Sequence, residues 1–321
     1  MKAIVQEGYG SFHVLKFKDI EKPRPKLDEV LIRNIASSIN GGDFLIMKGK
    51  PFLLRFSVGM PKPKFIAPGG DVAGVVEMVG RDVKRFQPGD EVFGDLSDNG
   101  FGAFAEYVCA SENCIEKKAA NTSFEEAAGS AQAAAVAYQG LMKGNIKSGM
   151  NVLIYGASGG IGTFAVQIAK SFDTEVTAVS SGKNHPLLYA LGADHCIDYK
   201  KEDFTRHNKK YDLILATVGY RSIFDYKNAL SSTGVHVATG GDMRQIMQPI
   251  FLGAMMSRNG GKTFKSLSHR QSQADLNTIR DLFEQKKIKT VIDKTFDLKH
   301  TVEAMKYYAK GRTVGKIIIE I

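Results

Sequence analysis

The spacing of apolar positions changes at about residue 119, and the change divides the chain. Before it, short runs rich in valine and isoleucine are separated by glycine and proline. Lys2–Gln6, Glu29–Ser37, Asp71–Val79, Glu91–Phe93 and Ala103–Cys109 read as strands. Gln87-Pro-Gly-Asp90 is a turn signal ahead of one of them. A single short helix is predicted there, Gly41–Lys48, with Asn40 as a favoured N-cap. After residue 119, Ser123 followed by Glu126 is a capping-box signature that opens an alanine-rich helix over Phe124–Met142. Strands Asn151–Tyr155, Glu175–Ser180, His195–Tyr199, Asp212–Thr217 and Gly234–Ala238 then alternate with helical stretches. Such alternation predicts an α/β arrangement, a parallel sheet covered on both faces. An amphipathic helix at Gln273–Lys287, a helix at Thr301–Ala309 and a strand at Gly315–Glu320 close the chain.

One βα turn carries candidate chemistry. The strand Asn151–Tyr155 runs into Gly156-Ala-Ser158-Gly159-Gly160-Ile161-Gly162, and an apolar helix over Thr163–Phe172 follows. Glycines there let backbone approach a pyrophosphate, and a helix N-terminus offers unpaired N–H groups. Ala157 replaces the first glycine of the dinucleotide fingerprint, but the strand–turn–helix context is the one the motif requires. The plainer alternative is an ordinary glycine-rich turn.

Composition narrows the class. The 321 residues suggest two domains of ordinary size, and 43% hydrophobic content supports a full core. No apolar run reaches the ~18 residues of a membrane span, and Met1–Glu7 reads as a first strand, not a signal peptide. Three cysteines without a C-x-x-C pair fit a reducing compartment, so a cytoplasmic location is expected. Net charge is +9, but the lysines are scattered in pairs such as Lys117-Lys118 and Lys200-Lys201, so most of them read as solvated surface. Nucleic acid is therefore not the expected partner. The basic charge still keeps a nucleotide-binding regulatory or RNA-binding protein as an alternative of another class.

Together the motifs resemble the medium-chain dehydrogenase/reductase superfamily, and most nearly its zinc-independent quinone oxidoreductase branch. Asn40-Gly-Gly-Asp43, Pro68-Gly-Gly-Asp-Val-Ala-Gly-Val-Val76, Phe86-Gln-Pro-Gly-Asp-Glu-Val-Phe-Gly94, Gly156–Gly162, Leu191–Tyr199 and Gly311–Lys316 carry the likeness, in order along the whole chain. The resemblance implies a GroES-like β-barrel catalytic domain over 1–118, with a C-terminal return at about 290–321. It implies a Rossmann NADP-binding domain over 119–289, an active site in a cleft between the two, and a homodimer. The substrate would be a small molecule, not a membrane component.

Zinc members of that superfamily hold a catalytic ion on three ligands, typically cysteine, histidine and cysteine or aspartate. The corresponding positions here are Asn40, Gly70-Asp71 and Gln132, and the four-cysteine structural lobe is missing. Neutral amides and a glycine do not supply a zinc site, so no metal is expected. Gly42 also stands where a hydroxyl relay would be. Simple alcohol oxidation needs a polarising ion. A quinone or enone accepts hydride with less help, because the charge spreads onto a carbonyl oxygen that a few donors stabilise. Asn40 is the candidate catalytic donor, a role compatible with its capping one. The alternative enzyme is an alkenal or enone reductase with little quinone activity. Asp43, Asp71 and Tyr138 read as structural. Pro51 occupies the position of the proton-donating tyrosine of enoyl thioester reductases, and Lys50–Phe65 reads either as a substrate lid or as a surface excursion.

NAD-specific sites place an acid at the end of the second Rossmann strand. Here that end is Ser180-Ser181-Gly182-Lys183, with no acid, which suits the 2′-phosphate of NADPH. The resemblance adds Tyr199 beside that phosphate and Thr239-Gly240 near the nicotinamide. Lys316 is expected to reach the cofactor or the substrate.

Overall fold

Valine- and isoleucine-rich runs up to Lys117 pair as strands, and a computed structural model describing residues 1–258 and 261–321 gives their order. They are β1 (Lys2–Gln6), β2 (Leu15–Asp19), β3 (Glu29–Ser38), β4 (Asp71–Val79), β5 (Glu91–Asp95), β6 (Tyr107–Ser111) and β7 (Ile115–Lys117). Helices α1 (Gly41–Lys48) and α2 (Leu54–Val58) separate β3 from β4. There follow α3 (Phe124–Lys143), β8 (Asn151–Tyr155), α4 (Gly160–Lys170), β9 (Glu175–Ser180), α5 (His185–Ala190) and β10 (His195–Asp198). Next come β11 (Tyr211–Ala216), α6 (Ile223–Ala229), β12 (Leu230–Ala238), α7 (Met243–Arg258) and β13 (Thr263–Ser266). The chain ends with α8 (Gln273–Glu284), β14 (Ile292–Asp297), α9 (Thr301–Ala309) and β15 (Lys316–Glu320).

The chain divides into two units, Met1–Ala135 with Arg270–Lys286 and Thr290–Ile321, and Val136–His269 with Lys287–Lys289. By compactness the division falls inside α3, and α8 goes with the first unit. The physical reason is an ion pair: Arg280 of α8 reaches the buried carboxylate of Glu116 at 3.1 Å. The Asn121 amide also donates to the Phe283 carbonyl at 2.7 Å.

In the first unit a seven-stranded sheet runs β14-β15-β3-β4-β5-β7, with β6 also paired to β3. Its apolar face includes Ile32, Val72, Val76, Val92 and Ile115, all essentially enclosed. The closing strand β15 lies antiparallel to β3, Ile318 opposite Ser38, so residues from the two ends of the chain meet at the start of α1. The strand expected at Ala103–Cys109 begins later, at Tyr107. Ala103 and Phe104 donate to the Gly69 and Pro68 carbonyls, and Phe104 accepts from Ile4.

The second unit is a six-stranded parallel sheet in the order β10-β9-β8-β11-β12-β13. Counted along the chain this is the doubly wound 3-2-1-4-5-6 order, whose switch point lies between β8 and β11. Two elements absent from the sequence-based expectation, α7 and β13, extend it. The apolar side chains of α7 do not form one buried stripe: Ile250, Phe251 and Met255 face solvent and Pro249 interrupts the helix. Its period was therefore unreadable.

Candidate active site

The junction of β3, α1, β4 and β15 gathers a polar cluster out of water. Asn40 precedes α1 with extended backbone (φ −119°, ψ 160°), and its N–H donates to Asp43 Oδ2 at 2.7 Å. That bond uses one of the donors a helix start leaves unpaired. The Asn40 side chain also bonds beyond the helix. Its Nδ2 donates to Asp71 Oδ2 at 2.8 Å, and its Oδ1 accepts from Lys316 Nζ at 2.5 Å. Lys316, 3% exposed, also reaches Asp71 Oδ2 at 3.4 Å. The Ser38 hydroxyl donates to the same oxygen. Asp71 Oδ1 accepts from the backbone N–H of Gln132 at 3.1 Å, and the Gln132 amide donates to Asp95 at 3.4 Å.

Burial dominates the electrostatics here. It pushes the Asp43 carboxyl up to about 7, against the lowering effect of the Asn40 N–H. It also raises Asp71, with the Lys316 ammonium as the chief opposing influence. Three buried carboxylates, Asp43, Asp71 and Asp95, thus share the neighbourhood of one buried ammonium. Among the described residues no group of three or more His, Cys, Asp or Glu side chains is disposed to hold a metal ion.

In the second unit, the turn after β8 forms a cradle at the switch point. Gly156 has φ +87°, and a Cβ there would meet Val218 at 2.2 Å. A Cβ on Gly162 would meet the Gly156 carbonyl oxygen at 2.2 Å, so only glycine lets α4 pack this closely on β8. Helix α4 starts at Gly160, earlier than expected, and its N-cap Gly159 offers no side-chain acceptor. The first bond of the helix runs from Thr163 to the Gly159 carbonyl at 2.9 Å. The N–H groups of Gly160, Ile161 and Gly162 lie before that bond and have no intrahelical acceptor. A Cβ on Gly159 would come no nearer than 3.5 Å to its surroundings, so the cradle is open there. Ser158 sits half-buried at its edge. Its glycines and free donors fit a dinucleotide pyrophosphate.

Beyond β9, Ser180, Ser181, Lys183 and Tyr199 come together, because β9 and β10 are paired with Ser180 opposite Asp198. Their roles differ. Ser180 is buried and its hydroxyl donates to the Ser181 carbonyl at 3.1 Å. Lys183 and Tyr199 are exposed. One acid is close: Asp198 Oδ2 would be 2.7 Å from a Cβ on Gly182. Its other oxygen accepts from the Lys200 N–H at 3.1 Å. At the end of β12, the N–H of Thr239 donates to the Ala216 carbonyl at 2.8 Å, and Gly240 packs against the Thr217 backbone.

Lys316, expected to reach the cofactor or the substrate, bonds within the Asn40–Asp71 cluster of the first unit. Sequence reasoning also passed over Gln245, 1% exposed, whose amide donates to the Val218 and Gly240 carbonyls at 3.2 and 2.9 Å and fixes both loops of the switch point. No local signal marks it, since it lies in the unread helix α7.

Two family models match, the alcohol dehydrogenase GroES-like domain over residues 26–120 and zinc-binding dehydrogenase over residues 191–319. Fold, site and these matches define the class: the chain belongs to the medium-chain dehydrogenase/reductase superfamily, in its zinc-independent quinone oxidoreductase-like branch. It is 35% identical to a 2-methylene-furan-3-one reductase of Solanum lycopersicum, over 99% of this chain and 79% of that one. It is 34% identical to the chloroplastic quinone-oxidoreductase QR1 of Triphysaria versicolor, over 100% and 98%. An NADPH-dependent alkenal/one oxidoreductase of Arabidopsis thaliana, also chloroplastic, is 31% identical over 99% and 79%. The quinone oxidoreductase of Coxiella burnetii superposes with a TM-score of 0.90 at 29% identity, covering 100% of this chain and 99% of that one. These relatives correct one expectation. Two of them are chloroplastic proteins, so a reducing environment for the cysteines does not translate into a cytoplasmic location.

Proposed function

We propose that this protein is an NADPH-dependent oxidoreductase that transfers hydride to a quinone or another conjugated carbonyl compound. The chain's full-length kinship with quinone and alkenal/one oxidoreductases supports a nicotinamide-dependent enzyme with a small-molecule substrate. The observation that carries the acceptor class is the Asn40–Lys316–Asp71 cluster, two of whose members, Asn40 and Asp71, stand where zinc relatives are expected to keep ligands. An amide, an ammonium and one carboxylate supply hydrogen-bond donors and fixed charge. They do not make a three-ligand zinc set. Chemistry that needs only a donor to a developing oxyanion suits such a site.

In this reading, residues 1–118 with 290–321 form the catalytic domain and 119–289 the NADP-binding domain. Ser158, Gly159, Gly160, Ile161 and Gly162 hold the pyrophosphate. Ser181, Lys183 and Tyr199 recognise the 2′-phosphate, with Ser180 shaping the turn. Thr239 and Gly240 line the nicotinamide end. When bound, the reduced nicotinamide supplies the hydride. Asn40 has two amide hydrogens, one of which Asp71 takes. The second is the donor for the acceptor oxygen. Lys316 and Asp71 fix the amide's orientation from both sides. The basic end of β9 favours NADPH over NADH. The family likeness also points to a homodimer.

The test is one panel: quinones, enals, enones and simple alcohols, each with NADPH and NADH, beside an RNA titration at rising salt. Turnover of conjugated acceptors with NADPH, and none of alcohols, is the expected result. Activity confined to enals and enones selects the alkenal reductase reading, which the names of two relatives favour. Specific RNA binding without turnover overturns the enzyme reading.

A further inference from the structure

Between Asp43 and Asp71 the chain carries five cations, Lys48, Lys50, Arg55, Lys62 and Lys64, and no acid. The same stretch turns large apolar side chains to solvent: Phe52 is 56% exposed, Leu53 74%, Phe56 66%, Met60 54% and Ile66 63%. Soluble surfaces ordinarily scatter such side chains singly, so five within fifteen residues of one segment point to a binding face.

The backbone beneath them is held in place. The Tyr9 hydroxyl donates to the Gly59 carbonyl at 2.5 Å, and Arg55 Nε donates to the Gly49 carbonyl at 3.0 Å. The Gln6 N–H donates to the Ile66 carbonyl at 3.0 Å, and Lys64 to Val58 at 2.9 Å. Phe52 and Phe56 lean edge to face at 5.9 Å. Nor are the cations neutralised. Among the described residues none of the five has a carboxylate in ion-pair contact, and Glu7, which feels Lys62, is already bonded to Lys18.

Three occupants compete for this face. A second copy related by a two-fold axis would set the same five cations against themselves. A neutral conjugated acceptor would fill the apolar part and leave the charges unanswered. An anionic bilayer answers both, because apolar side chains enter the headgroup boundary while Lys and Arg meet the lipid charge. We propose that the Phe52–Ile66 face docks on an anionic lipid surface, with Phe52, Leu53 and Phe56 entering it and Lys50, Lys62 and Lys64 holding the headgroups.

The experiment needs neither cofactor nor substrate, so its failure is separate from failure of the oxidoreductase reading. The full chain is floated with phosphatidylcholine vesicles with and without phosphatidylserine, at low and high salt. Binding to the anionic vesicles alone, lost as salt rises, is expected. The chain has no tryptophan, so Phe52→Trp is a sole reporter. Its emission should shift to the blue on anionic vesicles, whereas Phe251→Trp on α7 should not shift. Lys62→Gln with Lys64→Gln should weaken partition by roughly thirtyfold, taking about fivefold per cation. Leu53→Ser should weaken it as well, with an unchanged melting temperature. The proposal is overturned by absence of flotation at low salt, or by a shift at Phe251 instead of Phe52. Binding to polyglutamate as tight as to vesicles would also overturn it, as would a concentration-dependent dimer that Leu53→Ser dissolves.

Discussion

Asn40 holds two positions at once, and mutation separates them. Its N–H anchors Asp43 at the start of α1, while its amide links Lys316 to Asp71. Asn40→Ala keeps the first bond and removes the second set. If the free amide hydrogen stabilises an oxyanion, kcat for a quinone or enone should fall on the order of 10²-fold. The melting temperature, measured beside the kinetics, should fall modestly. A lowered melting temperature with unchanged kcat would make Asn40 a structural residue. Lys316→Met should act differently, because it leaves buried carboxylates without their cation. A loss of about 3–5 kcal/mol in urea unfolding is expected. In the phosphate site proposed beyond β9, Lys183 is exposed and lies two residues after Ser181. Lys183→Ala should raise KM for NADPH and leave NADH unchanged, at a cost of roughly 1.5–3 kcal/mol for a charged hydrogen bond. Equal effects on both cofactors would remove Lys183 from phosphate recognition.

At the level of elements, the β8–α4 turn makes a contrasting pair of predictions. Gly162→Ala puts a methyl 2.2 Å from the Gly156 carbonyl oxygen, so α4 must move off β8. Cofactor affinity, followed by NADPH fluorescence titration, should drop sharply. Gly159→Ala meets nothing nearer than 3.5 Å in the free protein and has φ −80°, so the fold should tolerate it. Its methyl would intrude only on a bound pyrophosphate. Loss of affinity without loss of stability at Gly159, against loss of both at Gly162, is the expected pattern. Similar affinities for Gly159→Ala and the parent would place the phosphates elsewhere. These elements were readable locally. The capping box at Ser123 and Glu126 forms as expected, with reciprocal bonds of 3.1 and 3.2 Å. Helix α7 was not readable, since its exposed apolar residues break the helical period.

For the whole molecule, two buried groups set opposite trends with pH. His236 on β12 stacks on Tyr226 at 4.2 Å, and neither ring nitrogen has a partner. Burial holds its pKa down to about 3, from an ordinary 6.5. The folded state therefore resists a proton that the unfolded chain accepts. Its contribution is intact above pH 6.5 and is lost as pH falls toward 3, at up to about 1.4 kcal/mol per pH unit. Asp43 runs the other way. Its carboxyl is raised to about 7 from 3.8, so its contribution is full below 3.8 and lost as pH rises through 7. Urea midpoints across this range should show both limbs. His236→Leu should flatten the acid limb, and Asp43→Asn the limb toward neutrality. An unchanged acid limb in His236→Leu would mean that the ring is protonated in the fold.

Local sequence by itself determined the elements whose signals lie within a few residues. The parallel alternation, the glycine turn, the start of α1 and the acid-free end of β9 all follow from neighbouring side chains and backbone sterics. Only the tertiary structure decided where Lys316 goes. It lies at the far end of the chain from Asn40, and β15 pairing with β3 brings the two to 2.5 Å. Nothing near Lys316 in sequence records that contact, which makes this lysine the buried counter-charge of Asp71. The same holds for the tension within the cluster. Burial, not residue type, raises Asp43 and Asp71, and burial comes from packing elements distant in sequence.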